Sequence, residues 1–454
     1  MNILLVRPKP HRDTIGLQSI MVCEPLELEY LAAAVQANHQ VDLVDMILEK
    51  KPLEYFIRRY QPRVVGLTAY ISHINIVKGY AKIIKGINPD ISVVVGGVHA
   101  DVVPEDFLDK NIDYIISGNG IDSFRRLINQ IEKNRQGMRE KIIRGNGEIE
   151  IPPFFPDRSI TDKYRSRYYY IYHKPCALLK TSYGCPFTCT FCFCRQITGG
   201  KYRERDLDNV LEEVKQIREP EVYIVDDNFL VDPRRVKRFC DLLKKHGIKK
   251  KYLIYGRANF IVENEPIMAE FADLGLRAVI VGVESPHARE LVQYNKKSSV
   301  EINEQAISIL KKLGIDCYAT MILGIDWDDG DFQELYLWLK KQRLRFVNLQ
   351  PLTPLPGTPL FDDYKGLLTV PREKYEQWDL ANLVVKPTKI SLKRYYFNIL
   401  KVYFLISLSP GSLRKNLKYG FVPNFKLFLG VSRITWQYIK KTWLVPSLWR
   451  RQKP

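Results

Sequence analysis

The first 130 residues alternate short aliphatic runs with stretches whose apolar residues recur at helical spacing. Strand and helix in alternation predict a parallel, doubly wound sheet. The candidate strands are Ile3–Val6, Val41–Val44, Val64–Leu67, Val93–Val95 and Tyr114–Ile116, and the candidate helices are Pro25–Ala37, Pro52–Tyr60 and Ile74–Ile87. Ligands bind such sheets beyond the carboxyl ends of the strands, so the segments after Thr68 and at Gly96–His99 are candidate binding loops. A tight turn explains the glycine pair at Gly96 and Gly97 equally well.

A second series of strands and helices runs from about residue 176 to residue 365. Its candidate strands are Ala177–Thr181, Val222–Val225, Leu253–Tyr255, Ala278–Val283, Tyr318–Leu323 and Phe346–Gln350. Six strand–helix units predict a partial β/α barrel, an architecture that places its active site on the loops after the strands. The chain therefore divides into residues 1–135 (a Rossmann-like domain), 136–175 (a linker), 176–365 (the barrel) and 366–454 (a helical region).

The charge of the chain is concentrated at its C-terminal end. The formal net charge is +18, but no acidic residue follows Asp379, and fifteen Lys and Arg lie between Lys386 and Lys453. The sequence shows no export signal and no uncharged run long enough to span a bilayer. Its eight cysteines suit a reducing compartment better than a disulfide framework, so we expect a cytoplasmic protein.

The region from residue 366 to residue 454 interleaves basic with aromatic and aliphatic residues. The segment Lys393–Ile406 is too short and too charged to span a membrane, but it is suited to lie on one. RNA is the competing partner, because basic and aromatic residues also bind nucleic acid. We favour peripheral contact with the inner face of the membrane, because aliphatic residues and Trp436, Trp443 and Trp449 accompany the charge. A basic helical cover over the open side of the barrel is compatible with either partner.

Three cysteines, Cys185, Cys189 and Cys192, lie directly after the first predicted barrel strand. Three closely spaced thiolates can hold three irons of a 4Fe–4S cluster and leave the fourth iron open to a ligand. The alternative is a structural zinc site, for which Cys194 or Cys176 would have to supply a fourth ligand. Cys194 is also a candidate catalytic thiol, although a small buried residue behind the loop explains it as well.

The Cys185–Cys192 loop, with Phe191 directly before its last cysteine, resembles that of the radical S-adenosylmethionine (SAM) superfamily. The resemblance implies that SAM binds the open iron and that its reductive cleavage yields a 5′-deoxyadenosyl radical. It implies further SAM-binding residues, namely Asp226 and Asp227 for the methionine amine, Arg257 for the carboxylate, Glu284 near the ribose and Gly324 against adenine. The structural alternatives are a helix cap for the aspartates, a rim salt bridge for Arg257 and simple packing at Gly324.

The order of Pro25–Ala33, Val41–Asp45 and Val95–His99 resembles the cobalamin-binding domain of cobalamin-dependent radical SAM enzymes. The resemblance implies that cobalamin lies against Thr68, Gly96, Gly97, Val98 and His99. Cobalt-ligating domains carry Asp-x-His-x-x-Gly after the first strand, whereas His11 here has Lys9 two residues before it. We therefore expect no protein histidine on the cobalt.

Among these enzymes the chain resembles the hopanoid methylase branch, through Arg218–Asp227, Asp273–Glu284 and the basic region. The resemblance implies methylation of an unactivated carbon in a membrane lipid or isoprenoid, with a flavodoxin or ferredoxin as electron donor. The alternative is a radical cyclase similar to the anaerobic magnesium-porphyrin cyclase, which would use the same cofactors without net methyl transfer. An RNA methylthiotransferase would require three more N-terminal cysteines, and only Cys23 lies there.

Overall fold

A computed structural model describes residues 1–133, 140–407 and 429–440. The predicted positions Trp443 and Trp449 lie outside the described residues. The first strands are β1 (Asn2–Arg7), β2 (Met21–Val22), β3 (Gln40–Asp45), β4 (Val64–Thr68), β5 (Ser92–Gly96), β6 (Tyr114–Ser117) and β7 (Ile142–Arg144). The first helices are α1 (Leu26–Val35), α2 (Leu53–Tyr60), α3 (Ile74–Ile87), α4 (Val98–Val102) and α5 (Gly120–Glu132).

The N-terminal sheet is parallel, with the strand order β3-β1-β4-β5-β6-β7. Its central strands are buried on both faces because each face is covered by helices, which explains their continuous aliphatic sequences. The chain moves from one side of β1 to the other between β3 and β4, so the topological switch point lies between β1 and β4. Ligands of doubly wound sheets bind at this point, next to Arg7 and the segment after Thr68.

The later strands are β8 (Tyr169–Tyr170), β9 (Cys176–Leu179), β10 (Ser182–Gly184), β11 (Tyr202–Glu204), β12 (Glu221–Ile224), β13 (Lys251–Gly256), β14 (Leu276–Glu284), β15 (Asp316–Leu323) and β16 (Phe346–Pro351). The later helices are α6 (Cys194–Ile197), α7 (Leu207–Gln216), α8 (Pro233–Lys245), α9 (Ala258–Glu263), α10 (Glu265–Asp273), α11 (Ala288–Gln293), α12 (Val300–Lys312), α13 (Asp329–Lys341), α14 (Pro359–Tyr364) and α15 (Leu392–Ser407). Residues 429–440 are also helical.

The second sheet has six parallel strands in the order β16-β15-β14-β13-β12-β9. The large core lies between its outer face and the helices, and a smaller cluster that includes Leu178, Tyr223 and Tyr318 fills the inner face. This is a partial (β/α)6 barrel with a lumen, and the predicted α/β fold class is confirmed. The predicted first strand ends early, at Leu179, because the backbone N–H of Thr181 donates to the Asp226 carboxylate instead of the sheet.

A buried ion network joins the N-terminal domain, the linker and the barrel. Arg158 of the linker lies 2.5 Å from both Glu24 and Glu213, and Arg165 lies 3.1 Å from Glu24. Burial and the charge of Glu24 raise the pKa of Glu29 well above its usual value. The glutamates come from both domains, so these arginines fix the position of one sheet relative to the other.

The segment after the barrel also contacts the N-terminal domain. Arg372 and Tyr375 donate to Asp106 at 3.0 and 3.1 Å, and the backbone N–H of Ile15 donates to Asp379 at 2.6 Å. Within the described ranges, no helix has the length and apolar composition needed to cross a bilayer.

Candidate active site between the two sheets

The three cysteines lie on a loop that begins at Gly184, the last residue of β10. Gly184 has a φ of 79°, and a Cβ there would lie 2.1 Å from the Lys201 carbonyl oxygen, so the turn requires glycine. Cys185, Cys189 and Cys192 are all partly accessible. No three His, Cys, Asp or Glu side chains among the described residues converge as a single metal ion requires. Thiolate ligands of a 4Fe–4S cluster bind separate irons, so three cysteines on one loop can hold three irons of such a cluster.

Asp227 connects the two ends of this loop. Its carboxylate accepts from the Gly184 N–H at 2.9 Å and from the Cys194 thiol at 3.4 Å, and lies 3.5 Å from the Lys180 ammonium. Hydrogen bonding to Cys192, burial and the nearby Asp227 raise the pKa of Cys194. The Cys194 thiol thus stays protonated and donates, which suits a positioning group better than a nucleophile.

Asp226 is fully buried, and all of its contacts are structural. Its carboxylate accepts from the Thr181 N–H at 2.6 Å, the Thr181 hydroxyl at 2.5 Å and the Ser182 hydroxyl at 2.7 Å. The sequence placed Asp226 at the methionine amine of SAM. In the structure it holds the turn between β9 and β10 through these three hydrogen bonds, and its contact with the methionine amine stays a prediction.

Arg257, predicted to pair with the SAM carboxylate, lies against the cysteine loop. Its guanidinium is 3.9 Å from the Phe187 ring centroid and 3.6 Å from the Cys189 sulfur, and it also donates to the Lys296 carbonyl. Cation–π contact and charge-assisted hydrogen bonding both favour this arrangement. Arg257 therefore supports the loop, although its buried Nε has no partner among the described residues.

Glu284 and Lys296 form a buried ion pair at the carboxyl end of β14. The ammonium lies 2.6 Å from the carboxylate, and both side chains are less than a tenth exposed. A Cβ at Gly282 would lie 2.3 Å from Glu284 and 2.5 Å from Lys296, so this glycine makes room for the pair. Glu284 also has a φ of 65°, a strained conformation for a residue with a side chain.

Gly324, predicted to lie against adenine, accommodates a tryptophan. A Cβ there would lie 2.5 Å from the Trp327 ring, and Trp327 is completely buried. Packing against this ring is sufficient to require glycine at the end of β15. A role of Gly324 in SAM binding stays a prediction.

Several buried polar atoms beside the cysteine loop have no partner among the described residues. They are both amide atoms of Asn228, Nε of Arg257 and the Asn259 side-chain oxygen. The Phe229 N–H donates to the Tyr255 carbonyl at 3.1 Å, which places Asn228 beside the end of β13, close in sequence to Arg257 and Asn259. Buried polar groups normally have partners, so these atoms fit a polar ligand such as the methionine part of SAM.

The N-terminal sheet presents a glycine turn at its carboxyl edge. Gly97 has a φ of 105°, and a Cβ there would lie 2.9 Å from both the Ala69 nitrogen and the Thr68 hydroxyl oxygen. The Thr68 hydroxyl donates to Glu27 at 3.3 Å, and Gly96 ends β5 beside this turn. Main-chain atoms therefore form this edge, so a large planar cofactor can approach it closely.

His99 follows Val98 at the start of α4. Its imidazole is buried, its Nε2 lies 2.8 Å from Asp106, and its ring packs on Phe107. The imidazole therefore holds α4 in place, and any contact of Gly96–His99 with cobalamin is left mainly to the backbone. His11 is partly exposed and accepts from the backbone N–H of Asp13.

The carboxyl edges of the two sheets face each other across a space that we call the cleft. Tyr70, after β4, and Tyr255, on β13, are 53% and 37% exposed, yet burial raises the pKa of both phenols. Burial likewise raises the pKa of the exposed Glu27. Surrounding protein thus desolvates all three groups, which lie at the edge of the cleft. Tyr255 lies near Cys23 of the N-terminal domain and near Cys194 and Asp227 of the cysteine loop, so the cleft reaches both.

The two sides of the cleft also touch directly. A Cβ at Gly357, in the turn after β16, would lie 2.5 Å from Val102 of α4. Gln196 of α6 donates to the Gly357 carbonyl at 2.5 Å. The turn at residues 354–359 therefore joins the Gly96–His99 edge to the cysteine loop.

Two family models match the chain. Residues 14–128 match the B12 binding domain, and residues 179–339 match the radical SAM superfamily. The chain is 28% identical to the hopanoid C-3 methylase of Methylococcus capsulatus over 88% of this chain and 79% of that protein. It is 26% identical to the anaerobic magnesium-protoporphyrin IX monomethyl ester cyclase of Rubrivivax gelatinosus over 85% of this chain and 74% of that protein.

The fold is also that of a solved structure. The radical SAM methyltransferase TsrM from Kitasatospora setae, with cobalamin and a 4Fe–4S cluster bound, superposes with a TM-score of 0.64 at 16% identity, over 90% of this chain and 91% of that chain.

The two sheets and the matched models define a cobalamin-dependent radical SAM enzyme. The chain belongs to the cobalamin-binding radical SAM family, near the hopanoid methylase branch, and is an enzyme of the radical SAM methyltransferase kind. Its cofactors are a 4Fe–4S cluster, SAM and cobalamin.

Sequence reasoning missed Lys296, Asn228 and Asn259. Lys296 stands in the run Asn295–Lys296–Lys297, which is typical of an exposed loop. It is buried because Asn295 and Lys297 adopt left-handed φ values of 48° and 53°, which turn the chain around it. Nothing in the sequence marked Asn228 and Asn259 as binding residues except that each follows a predicted strand.

Proposed function

We propose that this enzyme methylates an unactivated carbon of a membrane lipid or isoprenoid, as the hopanoid methylases it resembles are named for doing. The contact between the cobalamin edge and the cysteine loop, through Gly357 against Val102 and Gln196, carries the proposal, because it allows a hydrogen-removing group and a methyl carrier to face one substrate. The cofactors supply radical hydrogen removal and a transferable methyl group.

The atoms and electrons of this reaction balance. The substrate C–H bond breaks and its hydrogen passes to the adenosyl group of one SAM, which leaves as 5′-deoxyadenosine and methionine. A second SAM provides the methyl group of the new C–C bond and leaves as S-adenosylhomocysteine. An electron is consumed in cleaving the first SAM and another in restoring the methyl carrier. A reduced flavodoxin or ferredoxin supplies both electrons.

The residues of the chain have separate parts in this proposal. Cys185, Cys189 and Cys192 hold the cluster, and Asp227 and Arg257 hold their loop. Asn228, Asn259 and the Glu284–Lys296 pair surround SAM. Thr68 and the Gly96–His99 turn support the corrin.

A basic, aromatic face on α15 supports a membrane-borne substrate. Phe397 and Phe404 are 51% and 62% exposed, and their spacing of seven residues places them on one face with the exposed Lys393 and Lys401. Apolar rings flanked by lysines suit the headgroup region of an anionic leaflet. We infer peripheral residence on the cytoplasmic face of the membrane, without a role for nucleic acid.

A radical ring cyclase is the second candidate, favoured by the likeness to the magnesium-porphyrin cyclase over 85% of this chain. It would use the same cleft to remove hydrogen and then close a carbon ring. No methyl group would then appear in the product.

Labelled SAM separates the two functions. Purified, reconstituted enzyme would be incubated with reduced flavodoxin, SAM carrying a deuterated methyl group, and lipids from cells that lack the chain. The methylase proposal predicts a lipid heavier by one labelled methyl group, and a Cys185→Ser variant gives the background. Consumption of a lipid with SAM cleavage but without label would refute methylation and favour the cyclase.

A further inference from the structure

The lumen of the barrel has a polar row on its last two strands. Side chains alternate along a strand, and Tyr318 and Phe346 belong to the inner cluster, so Thr320, Asn348 and Gln350 also face inward. The residues between them, Ala319, Met321 and Leu349, are buried in the outer core under the helices. Thr320 pairs in register with Asn348, and Ile322 with Gln350. We call Thr320, Asn348 and Gln350 the lumen polar row.

This row forms one side of a space with an aromatic floor. Tyr318 lies edge-on to Phe346 with their centroids 4.7 Å apart, and Tyr170 of β8 stacks on Tyr318 at 5.9 Å. These rings lie toward the amino ends of the strands and close the lumen there. The polar row lies above them, at the end that opens to the cleft.

The amides of the row have no partners of their own. Among residues 1–133, 140–407 and 429–440, neither the Asn348 nor the Gln350 side chain has a hydrogen-bond partner. Both are partly exposed, and the alternation of side chains along the strand directs them to the lumen. A hydrocarbon in contact with these amides would remove their water without replacing its hydrogen bonds, which is unfavourable.

We propose that the lumen polar row binds an oxygen function of the substrate, a hydroxyl or carbonyl, and so selects oxygenated lipids or isoprenoids over pure hydrocarbons. The inference rests on the proposed methylase function and names its substrate class. A site built from unpaired polar groups discriminates strongly against analogues that cannot fill them. An amide also suits either group, since it both donates and accepts.

The row lies on different strands from the polar atoms assigned to SAM. The strand order places β16 at the opposite edge of the sheet from β9, which leads into the cysteine loop. The unpartnered atoms of Asn228, Arg257 and Asn259 are on the cluster side, after β12 and β13. The row is thus available to a second molecule beside SAM.

The test uses the full-length enzyme with its cofactors loaded and the double variant Asn348→Leu/Gln350→Met, which keeps side-chain volume. Gln216→Leu, an exposed position at the end of α7, is the matched control. The probes are two silica fractions of lipids from cells lacking the chain, the hydrocarbons and the oxygenated neutral lipids, each with SAM carrying a deuterated methyl group. SAM affinity, 5′-deoxyadenosine formation without lipid and cluster absorbance are measured for each protein.

We expect label in the oxygenated fraction only, and at least a roughly tenfold loss of labelling in the double variant with unchanged SAM affinity and lipid-free SAM cleavage. Label in the hydrocarbon fraction would refute the substrate class while preserving the methylase function. Wild-type labelling by the variant, or a loss of SAM affinity in it, would refute the assignment of the row to substrate. Label in neither fraction, despite SAM cleavage, would instead count against the methylase function itself.

Discussion

Asp226 provides a direct test of whether a carboxylate after β12 binds SAM or builds the protein. Its three accepted hydrogen bonds come from the Thr181 N–H and the Thr181 and Ser182 hydroxyls. In Asp226→Ala the buried N–H loses its partner at about 1–3 kcal/mol, and each hydroxyl adds about 1 kcal/mol, so we expect a total of about 3–5 kcal/mol. Asp226→Asn keeps the shape and one acceptor, and we expect a loss of about 1–2 kcal/mol.

The assay is thermal unfolding of the anaerobically purified protein together with calorimetric titration of SAM. For a domain of this size 1 kcal/mol corresponds to about 2–4 °C, so Asp226→Ala lowers the unfolding temperature by about 6–20 °C. Asp241→Asn, which affects an exposed pair with Lys237 on α8, is the control and changes little. If Asp226→Asn weakens SAM binding tenfold and leaves the unfolding temperature unchanged, the structural role assigned to Asp226 is wrong.

Three further outcomes follow from the other buried features. Arg158→Met leaves buried glutamates, including Glu29, without a main cation, and we expect a loss of about 3–5 kcal/mol at pH 7.5. The pKa of Glu29 is already raised in the fold, and losing Arg158 raises it further, so the folded variant binds more protons than the unfolded chain. The loss of unfolding free energy relative to wild type is therefore smaller at pH 5.5 than at pH 7.5. An equal loss at both pH values in urea titrations would contradict this. Gly97→Ala forces a left-handed alanine against backbone, and absorbance after gel filtration should show cobalamin retention reduced at least about tenfold, with SAM cleavage as the control. Lys296→Met leaves the buried Glu284 carboxylate without its cation and should weaken SAM binding in calorimetry. Wild-type affinity for SAM would show that the pair is only structural.

The strands were predictable because parallel strands covered on both faces read as continuous aliphatic runs. The hairpin of β10 and β11 was not, since Ser182–Gly184 and Tyr202–Glu204 carry no such run and form only where Asp226 draws the chain out of the sheet. The predicted helix Pro25–Ala37 was too long at each end and spans Leu26–Val35.

The site residues differ in the same way, since some could be recognised from local sequence and others only from the fold. The cysteine spacing is a property of the local sequence, so the loop could be recognised from the order of its residues alone. The contacts of Arg257 with Phe187 and Cys189 could not, because they depend on the fold, and its pairing with the SAM carboxylate stays a prediction. Burial of Lys296 depends on left-handed backbone at Asn295 and Lys297, which the sequence Lys296–Lys297 does not predict.

The cleft itself is a product of contacts between segments distant in sequence. Gly357 lies against Val102 and accepts from Gln196 at one end, and Arg158 binds glutamates of both domains at the other. Asp106, which holds His99, is in turn held by Arg372 from beyond the barrel. Each of these contacts fixes the glycine edge relative to the cysteine loop. The distance between a methyl carrier and a hydrogen-removing group is therefore set by the whole chain, and neither sheet alone could position a substrate carbon between them.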